Sequence, residues 1–309
     1  MFLLGIYAIL YSILKMEQYT FMTRTLLLMV VFYVMMYITR NIELLGRKIM
    51  IRVDFNKCIK CKMCIKDCFQ ENIIFEEEKI KIKNDCMMCG HCVAVCPTNA
   101  ITFEGYEETQ ELKNLDSKIN SEVFLNFVKS RRSIRHFKDK KIDRDIIEKL
   151  LEVGRYSPTG ANIQDVKYYV IQDKLEEFKP LVWEGINNFV NSGEKNMFLR
   201  KYRSLFIEMY ENRGINDKLF FKAPMVLIIT SSNKTNGVLA GDKIEMMANM
   251  MGLGVLFSGF IEMGINSNEE LVKKFKLERN VVCTCMLIGY PDISYQRTAP
   301  RKEINIEWL

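Results

Sequence analysis

Along the chain the spacing of apolar positions changes twice, and the changes divide it. Phe2–Leu14 and Thr25–Thr39 are apolar runs of 13 and 15 residues, separated by Lys15, Glu17 and Arg24. Each falls short of the roughly 20 residues that cross a bilayer. From Ile51 the runs become short. Ile51-Arg52-Val53, Asn72-Ile73-Ile74-Phe75 and Asn99-Ala100-Ile101-Thr102-Phe103 read as brief strands, the last two as an internal repeat whose segments form small sheets. Residues 104–120 are polar and acidic, with Glu104, Glu107, Glu108 and Glu111, and read as a linker. Beyond it Phe124, Phe127 and Val128 fall at helical spacing, as do Ile146, Ile147, Leu150 and Leu151 behind a capping candidate, Asp143. Val166–Ile171, Pro224–Ser231 and Val281–Ile288 read as strands, the second a continuous apolar run of the buried kind. Lys243–Met251 reads as an apolar helix ending at Gly252. Helices alternating with buried strands predict one α/β-layered domain after the linker.

Composition narrows the choices. The 309 residues allow two domains, and 49% hydrophobic content is ordinary for a packed protein. Of the net charge of +6, half belongs to residues 1–49, where Lys15, Arg24, Arg40, Arg47 and Lys48 stand against Glu17 and Glu43. The rest is interspersed, so no nucleic-acid footprint is visible. Residues 1–49 have two readings. One is a membrane anchor, which would put the protein on the cytoplasmic face of a membrane. The other, favoured here, is that the first residue is Met50, directly before the strand Ile51-Arg52-Val53, and that the protein is cytoplasmic. Gly46-Arg47-Lys48-Ile49-Met50 can be encoded as a ribosome-binding site correctly spaced before a start codon; a CGN codon at Arg47 would break that site.

Eight of the ten cysteines lie between Cys58 and Pro97, in two runs. The first is Cys58-x-x-Cys61-x-x-Cys64-x-x-x-Cys68; the second is Cys86-x-x-Cys89-x-x-Cys92-x-x-x-Cys96-Pro97. Three cysteines two residues apart can wrap one loop around a cubane iron–sulfur cluster, and in this two-cluster spacing the fourth cysteine of each run ligates the other cluster. Cluster one is therefore assigned to Cys58, Cys61, Cys64 and Cys96, and cluster two to Cys86, Cys89, Cys92 and Cys68. A disulfide framework or zinc ribbon would not need triplets followed by a fourth cysteine. His91 stands between two ligands as a spacer. Cysteines committed to clusters imply a reducing interior. Residues 51–103 resemble the bacterial-type two-cluster [4Fe-4S] ferredoxins. Cys68 is followed by Phe69 where that family often has proline, a change that loosens a turn and removes no ligand.

Three stretches of the later domain carry chemistry. Lys129-Ser130-Arg131-Arg132-Ser133-Ile134-Arg135 gathers guanidiniums and hydroxyls able to clamp a phosphate through forked, charge-assisted bonds, although a solvated basic helix end has the same composition. Tyr156-Ser157-Pro158-Thr159-Gly160-Ala161-Asn162-Ile163-Gln164 is a polar turn, and Gly252-Leu253-Gly254-Val255-Leu256-Phe257-Ser258-Gly259-Phe260 has glycines that would let backbone approach a flat ring. In this order, with a final Pro300-Arg301-Lys302, they resemble the FMN-dependent nitroreductase family over Ser121–Leu309. The resemblance implies an α+β homodimer with FMN at the subunit interface. Arg131, Arg132, Ser133 and Arg135 would hold the FMN phosphate and the polar edge of the ring, and Arg301 would return to the phosphate. Pro158, Thr159, Gly160 and Asn162 would reach the flavin of the other subunit, and Ser258 and Gly259 would face flavin N5 through their backbone. Gln164-Asp165-Val166 stands where the family often has Gln-Pro-Trp. Trp183–Lys222 lies where the family varies its substrate lid, though aromatics such as Phe189, Tyr202, Phe206 and Tyr210 are more often helix core.

The expected fold class is therefore α+β: a ferredoxin-like two-cluster domain (50–103), a linker (104–120) and an α/β/α-layered nitroreductase-like domain (121–309). The expected function is an oxidoreductase in which a low-potential donor, such as reduced ferredoxin, feeds two [4Fe-4S] clusters, then FMN, then a small organic acceptor of nitroaromatic, quinone or enone type. NAD(P)H is an optional donor. The alternative is a relay in which the flavin serves a protein or membrane partner. No acid–base side chain is demanded, because the chemistry belongs to flavin N5 and the protein supplies position and electrostatics. Cys283 and Cys285, on a buried strand, read as small core residues.

Overall fold

A computed structural model describes residues 51–83, 86–107, 109–192, 197–215 and 217–309, together with Met29. Apart from Met29, residues 1–50 lie outside the described residues, and with them both readings of the N-terminal segment. No helix among the described residues is long and apolar enough to cross a membrane. The described chain divides into two compact units, residues 51–86 with Gly90–Glu111, and Met87–Cys89 with Leu112–Leu309.

The first unit is built on a repeat. Strand β1 (Ile51–Val53), helix α1 (Met63–Lys66), strands β2 (Ile73–Glu76) and β3 (Lys79–Ile82), helix α2 (His91–Ala94) and strand β4 (Ile101–Phe103) follow in order. The matching segments β2 and β4 do not pair with one another: β4 pairs antiparallel with β1, and β2 with β3. Strand β3 has no turn signature before it, yet Glu77 and Glu78 both adopt left-handed backbone (φ 51 and 60). Two successive left-handed residues make the tight hairpin whose twist suits the flanking strands, a position usually given to Asn-Gly. The repeat reaches the dihedral angles. Lys60 and Met88, Lys62 and Gly90, and Glu71 and Asn99 are 28 positions apart in sequence, as are the paired cysteines, and all six have positive φ. Gly90 (φ 80) and Lys62 (φ 60) each stand directly before a short helix. The buried core is small: Cys64, Ile73, Ile80, Cys92 and Ile101.

The second unit forms around an antiparallel sheet. Helix α3 (Ser121–Ser130) starts where Asn120 Oδ1 accepts from the Glu122 and Val123 amides. Helix α4 (Arg144–Arg155) starts after Asp143, whose side chain makes no capping bond. Strand β5 (Lys167–Ile171), helices α5 (Leu175–Asn191) and α6 (Met197–Glu211), strand β6 (Met225–Ser231), helix α7 (Lys234–Met250), strand β7 (Gly254–Phe257), helices α8 (Gly259–Asn266) and α9 (Glu269–Lys274) and strand β8 (Val281–Gly289) complete it. The strand order is β5-β6-β8-β7, every neighbouring pair antiparallel.

An antiparallel sheet often keeps one wet face and an alternating sequence. Here β6 is buried at every position and β8 at all but its first residue, because both faces are covered. Met225, Leu227 and Ile229 pack on one side with Ile147 and Leu150 of α4 and Ile244 and Ala248 of α7. Val226 and Ile228 pack on the other with Val182 and Ile186 of α5, Phe206 of α6, Ile261 and Ile265 of α8 and Leu271 of α9. That is the α/β/α layering expected of the later domain. The β6–β8 register shifts at Ile229/Thr230, where Thr230 pairs with Val282 and Cys283 is skipped. The skipped residue turns Cys283 to the α7 side and leaves Cys285 on the α5 side. On the α5 side, Gly185 meets Gly264 of α8 backbone to backbone, so closely that a Cβ on Gly185 would collide with the Gly264 carbonyl oxygen.

Candidate functional site

The cysteine loops are held by backbone. The Asn72 amide donates to Cys68 Sγ and the Ala100 amide to Cys96 Sγ, each at 3.2 Å, the same contact made once in each repeat. Burial pushes the Cys96 thiol up, but hydrogen bonds from Ala100 and Thr98 outweigh it and leave its pKa below the ordinary value. Burial raises the Cys64 thiol, against backbone hydrogen bonding; the nearby Cys61 and Cys96 add to the rise. Cys96, from the second run, thus lies close enough to Cys64 of the first to act on its charge, as Cys61 does. Cys64 and Cys92 are buried, Cys61 is exposed, and Cys58, Cys68, Cys86, Cys89 and Cys96 are half-buried. Among the described residues no group of three or more His, Cys, Asp or Glu side chains closes tightly enough for a single metal ion. A cubane spreads its thiolates over four corners and asks for a wider set.

The arginine stretch leaves the end of α3 and runs beside β7. Ser133 forms a parallel bridge with Val255, and the Ile134 amide donates to the Val255 carbonyl at 3.0 Å. Ile134 is buried where a side chain on Gly254 would sit, so the room made by that glycine is taken by Ile134. Arg131 Nη1 lies 2.5 Å from Glu245 Oε1 of α7, and Glu245 is only 2% exposed. Burial pushes the Glu245 carboxyl up, Arg131 opposes this, and Asp242 adds to the rise. Arg131 Nε is buried with no hydrogen-bond partner among the described residues. Arg132 lies over the Tyr295 ring at 5.8 Å, Tyr295 Oη donates to the Ser133 carbonyl at 3.4 Å, and Arg135 is exposed. Arg301 is exposed in the C-terminal segment, and the bond it makes is to the Pro300 carbonyl at 3.3 Å.

The polar turn after α4 is tied to α7. The Gly160 amide donates to Asn236 Oδ1 at 3.1 Å, and Lys243 Nζ donates to Ser157 Oγ at 3.2 Å. Thr159 Oγ1 accepts from the Gln164 amide at 3.0 Å, Pro158 is exposed, and Ala161, Asn162 and Gln164 all have positive φ. Three such residues without a glycine store strain that the surrounding bonds must hold. Asp165 does much of that holding. It accepts from Ser231 Oγ at 2.8 Å, the Ser232 amide at 2.7 Å and Asn236 Nδ2 at 3.4 Å. Burial pushes its carboxyl up, but these donors, Ser232 foremost, bring its pKa down to about 2.

Ser258 caps α8: its Oγ accepts from the Ile261 amide at 3.4 Å while its own amide donates to the Cys285 carbonyl at 2.8 Å. Gly259, exposed, is the first residue of that helix, where backbone amides point outward and attract negative charge. Ser258 follows β7 directly and Ser133 is bridged to β7, so these two stretches share one strand. The Gly160 turn is held at the other end of α7: Asn236 and Glu245 stand nine residues apart on it, about 14 Å at 1.5 Å per residue.

Sequence reasoning missed Glu245, Asp165, Asn236 and Lys243 as organisers. The signal for Glu245 was a lone carboxylate inside the apolar segment 244–248; Asn233, which caps α7 by accepting from the Thr235 amide at 2.9 Å, marked a helix start well before Lys243. Trp183 and Phe206 are buried, and Phe189, Tyr202 and Tyr210 pack on the same core, so these aromatics serve the core. Cys283 and Cys285 are core residues too, with thiols raised by burial, Cys285 far above the ordinary value.

Comparison with known proteins covers both parts. Residues 50–97 match the 4Fe-4S dicluster domain and residues 128–290 the Nitroreductase family. An archaeal-type glutamate synthase [NADPH] of Dehalococcoides mccartyi is 43% identical over 49 residues, which is 15% of this chain and 10% of that protein. An NADPH-dependent oxidoreductase of Staphylococcus aureus (strain USA300) is 26% identical over 153 residues, 49% of this chain and 59% of that protein. The chain thus spans well under two thirds of these relatives' lengths. A solved nitroreductase with bound FMN from Desulfitobacterium hafniense DCB-2 superposes with a TM-score of 0.47 at 19% identity, covering 59% of this chain and 97% of that one. The family match spans more than half of the sequence, from Val128 to Tyr290, and holds the arginine stretch, the polar turn and Ser258–Gly259: the chain belongs to the nitroreductase family, with a 4Fe-4S dicluster domain ahead of it.

Proposed function

We propose that the chain is an FMN- and iron–sulfur-dependent oxidoreductase in which electrons from a low-potential donor pass through two [4Fe-4S] clusters to FMN and on to a small organic acceptor of nitroaromatic, quinone or enone type. The domain limits 50–103, 104–120 and 121–309 belong to the same reading. Cys58, Cys61, Cys64 and Cys96 would hold one cluster, and Cys86, Cys89, Cys92 and Cys68 the other. The influence of Cys96 on Cys64, across the two runs, supports that crossed set.

The observation that carries the flavin is Arg131 Nε, a buried donor without a partner at the edge of the arginine stretch. An orphaned buried donor costs roughly 1–3 kcal/mol, a cost that an FMN phosphate or ribityl oxygen would remove. Because Glu245 neutralises Arg131, the charge for the phosphate comes from Arg132 and Arg135, with Arg301 brought in from the C-terminal segment. Ser133 would add a hydroxyl, Gly259 and Ser258 would present the N-terminus of α8 to the ring, and Pro158, Thr159, Gly160 and Asn162 would face the flavin of a second copy. FMN, when bound, exchanges electrons singly with clusters and as a pair with organic acceptors. The chain binds it, orients it and shields it.

A homodimer is part of this reading. Helix α3 has no buried residue although it is amphipathic, and Val123, Phe124 and Leu125 are all exposed. An uncovered apolar helix face asks for a partner surface.

The test uses the full chain, loaded with clusters and FMN and kept without oxygen. NADH, NADPH or reduced ferredoxin is mixed in rapidly while cluster and flavin absorbance are followed apart. The expected result is that reduced ferredoxin bleaches the clusters first and the flavin after them. If NAD(P)H reduces the flavin at an unchanged rate after the cluster cysteines are replaced, the clusters are not the entrance. Replacing both Arg132 and Arg135 with Ala should weaken FMN binding by at least about tenfold, as expected for lost charge-assisted bonds; unchanged retention of FMN would move the phosphate elsewhere.

A further inference from the structure

The two cysteine runs repeat in backbone but not in surface. From Lys57 to Phe69 the first carries four lysines, Lys57, Lys60, Lys62 and Lys66, against one acid, Asp67; from Cys86 to Pro97 the second carries no Lys, Arg, Asp or Glu. Exposure follows the same division. Ile59 is 63% and Phe69 89% exposed, Phe55, Met63 and Cys61 are exposed as well, and in the second run Cys86 and Cys89 are half-buried. Phe69 stands where the related ferredoxins often have proline, so a departure from pattern has put a large apolar side chain on the surface beside Cys68.

The lysines are not locked. Lys60 pairs with Glu78 at 3.0 Å and Lys57 lies 4.0 Å from Asp54, with all four side chains well exposed. Pairs of that kind contribute little and exchange partners readily. Lys62 lies over the Phe75 ring at 4.5 Å and Lys79 over the Phe55 ring at 5.6 Å. The loop thus exposes apolar side chains interspersed with cations, the composition of a transient protein interface steered by charge.

We propose that the loop of Cys58, Cys61 and Cys64, with the apolar Ile59, Met63 and Phe69 and the cationic Lys57, Lys60, Lys62 and Lys66, is the docking surface for an acidic, low-potential electron-carrier protein. This rests on the reading that the clusters pass electrons to the flavin. Each encounter moves one electron: the carrier is oxidised by one and the chain reduced by one, with no bond made or broken. Two encounters supply the pair that an organic acceptor takes.

The test uses the full chain with both clusters loaded, without oxygen, and as probe a photoreduced acidic two-cluster ferredoxin. Between about 50 and about 500 mM salt the second-order rate of cluster bleaching should fall about tenfold. The K57E/K60E/K62E variant should lower the low-salt rate about tenfold, while K273E/K274E, on helix α9 of the second unit, leaves it unchanged. Reduction of the triple variant by dithionite, a small donor, should keep the wild-type rate. A salt-independent rate, or a triple variant as fast as the wild type, would overturn the proposal. Should that variant fail to load its clusters, K57Q/K60Q/K62Q and the wild-type salt dependence decide the matter. Because cluster bleaching is read apart from flavin bleaching, clusters that accept electrons in this salt-dependent way without passing them on would refute the proposed electron path and leave the docking surface standing.

Discussion

The two units solve the problem of holding together in opposite ways. The ferredoxin-like unit has a buried apolar cluster of only five residues, and two of them, Cys64 and Cys92, are candidate cluster ligands. Its strands are three or four residues long and its helices four. So little apolar area cannot offset the entropy of ordering the chain, and small domains of this kind lean on metal or disulfide bonds. The nitroreductase unit instead has two large apolar clusters, one on each side of a sheet whose central strands are wholly or almost wholly buried. Its fold is written in packing, and its candidate site sits at strand ends and helix ends that the packing positions. One unit is chemistry that folds a chain, the other a folded chain that presents chemistry.

The strongest way to break that comparison is to remove the clusters. Stripping iron oxidatively with a chelator should abolish hydrogen-exchange protection throughout β1–β4 while β6 and β8 keep theirs, because cluster binding and folding are coupled in the first unit alone. Matching loss in both units, or protection retained in the first, would refute the contrast. The converse is G185A. The collision with the Gly264 carbonyl should destabilise the second unit by about 3 kcal/mol or more, read from urea unfolding, with cluster absorbance unchanged. A smaller effect comes from Asp165. Its pKa is lowered on folding, from 3.8 to about 2, so it stabilises the fold above its unfolded pKa and loses that contribution as pH falls through the folded one. D165N should cost the second unit about 2 kcal/mol at pH 7, and the gap from wild type should narrow below about pH 4 and close near pH 2. The smallest effect is Y168F. The Tyr168 hydroxyl is buried without a hydrogen-bond partner among the described residues, and burial holds its pKa at about 12. Removing it should leave stability unchanged or raise it by up to about 1 kcal/mol, measured in the same urea titration.

Much of this was legible without coordinates, for reasons that differ by region. The cysteine repeat was legible because a cluster dictates spacing, and spacing is a property of sequence. Strands β6 and β8 were legible because burial on both faces leaves unbroken apolar runs. The start of α7 was missed because Lys234–Asp242 mixes polar and small residues, several of them facing the sheet or the Gly160 turn: Gly237 packs on Cys283 and Asn236 holds Gly160. Strand β7 went unassigned, its stretch noted only for glycines that let backbone approach a ring, because Gly254 carries no strand signal; the bulk of Ile134, 120 residues away, explains that glycine. The Gln164-Asp165-Val166 departure left the local turn open, and the structure closes it with bonds from Ser231, Ser232 and Asn236.

By itself the sequence determined what depends on local order: the eight-cysteine repeat, the buried strands and the family to which the later domain belongs. Only the tertiary structure decided what depends on distant partners. It pairs β4 with β1 rather than with its repeat mate, sends Cys283 and Cys285 to opposite faces through one skipped residue, and sets a buried Glu245 against Arg131. Spacing and period are fixed along the chain by covalent geometry. Which groups meet across it is set by close packing and by the need of every buried charge for a partner, and these act only once the chain has folded.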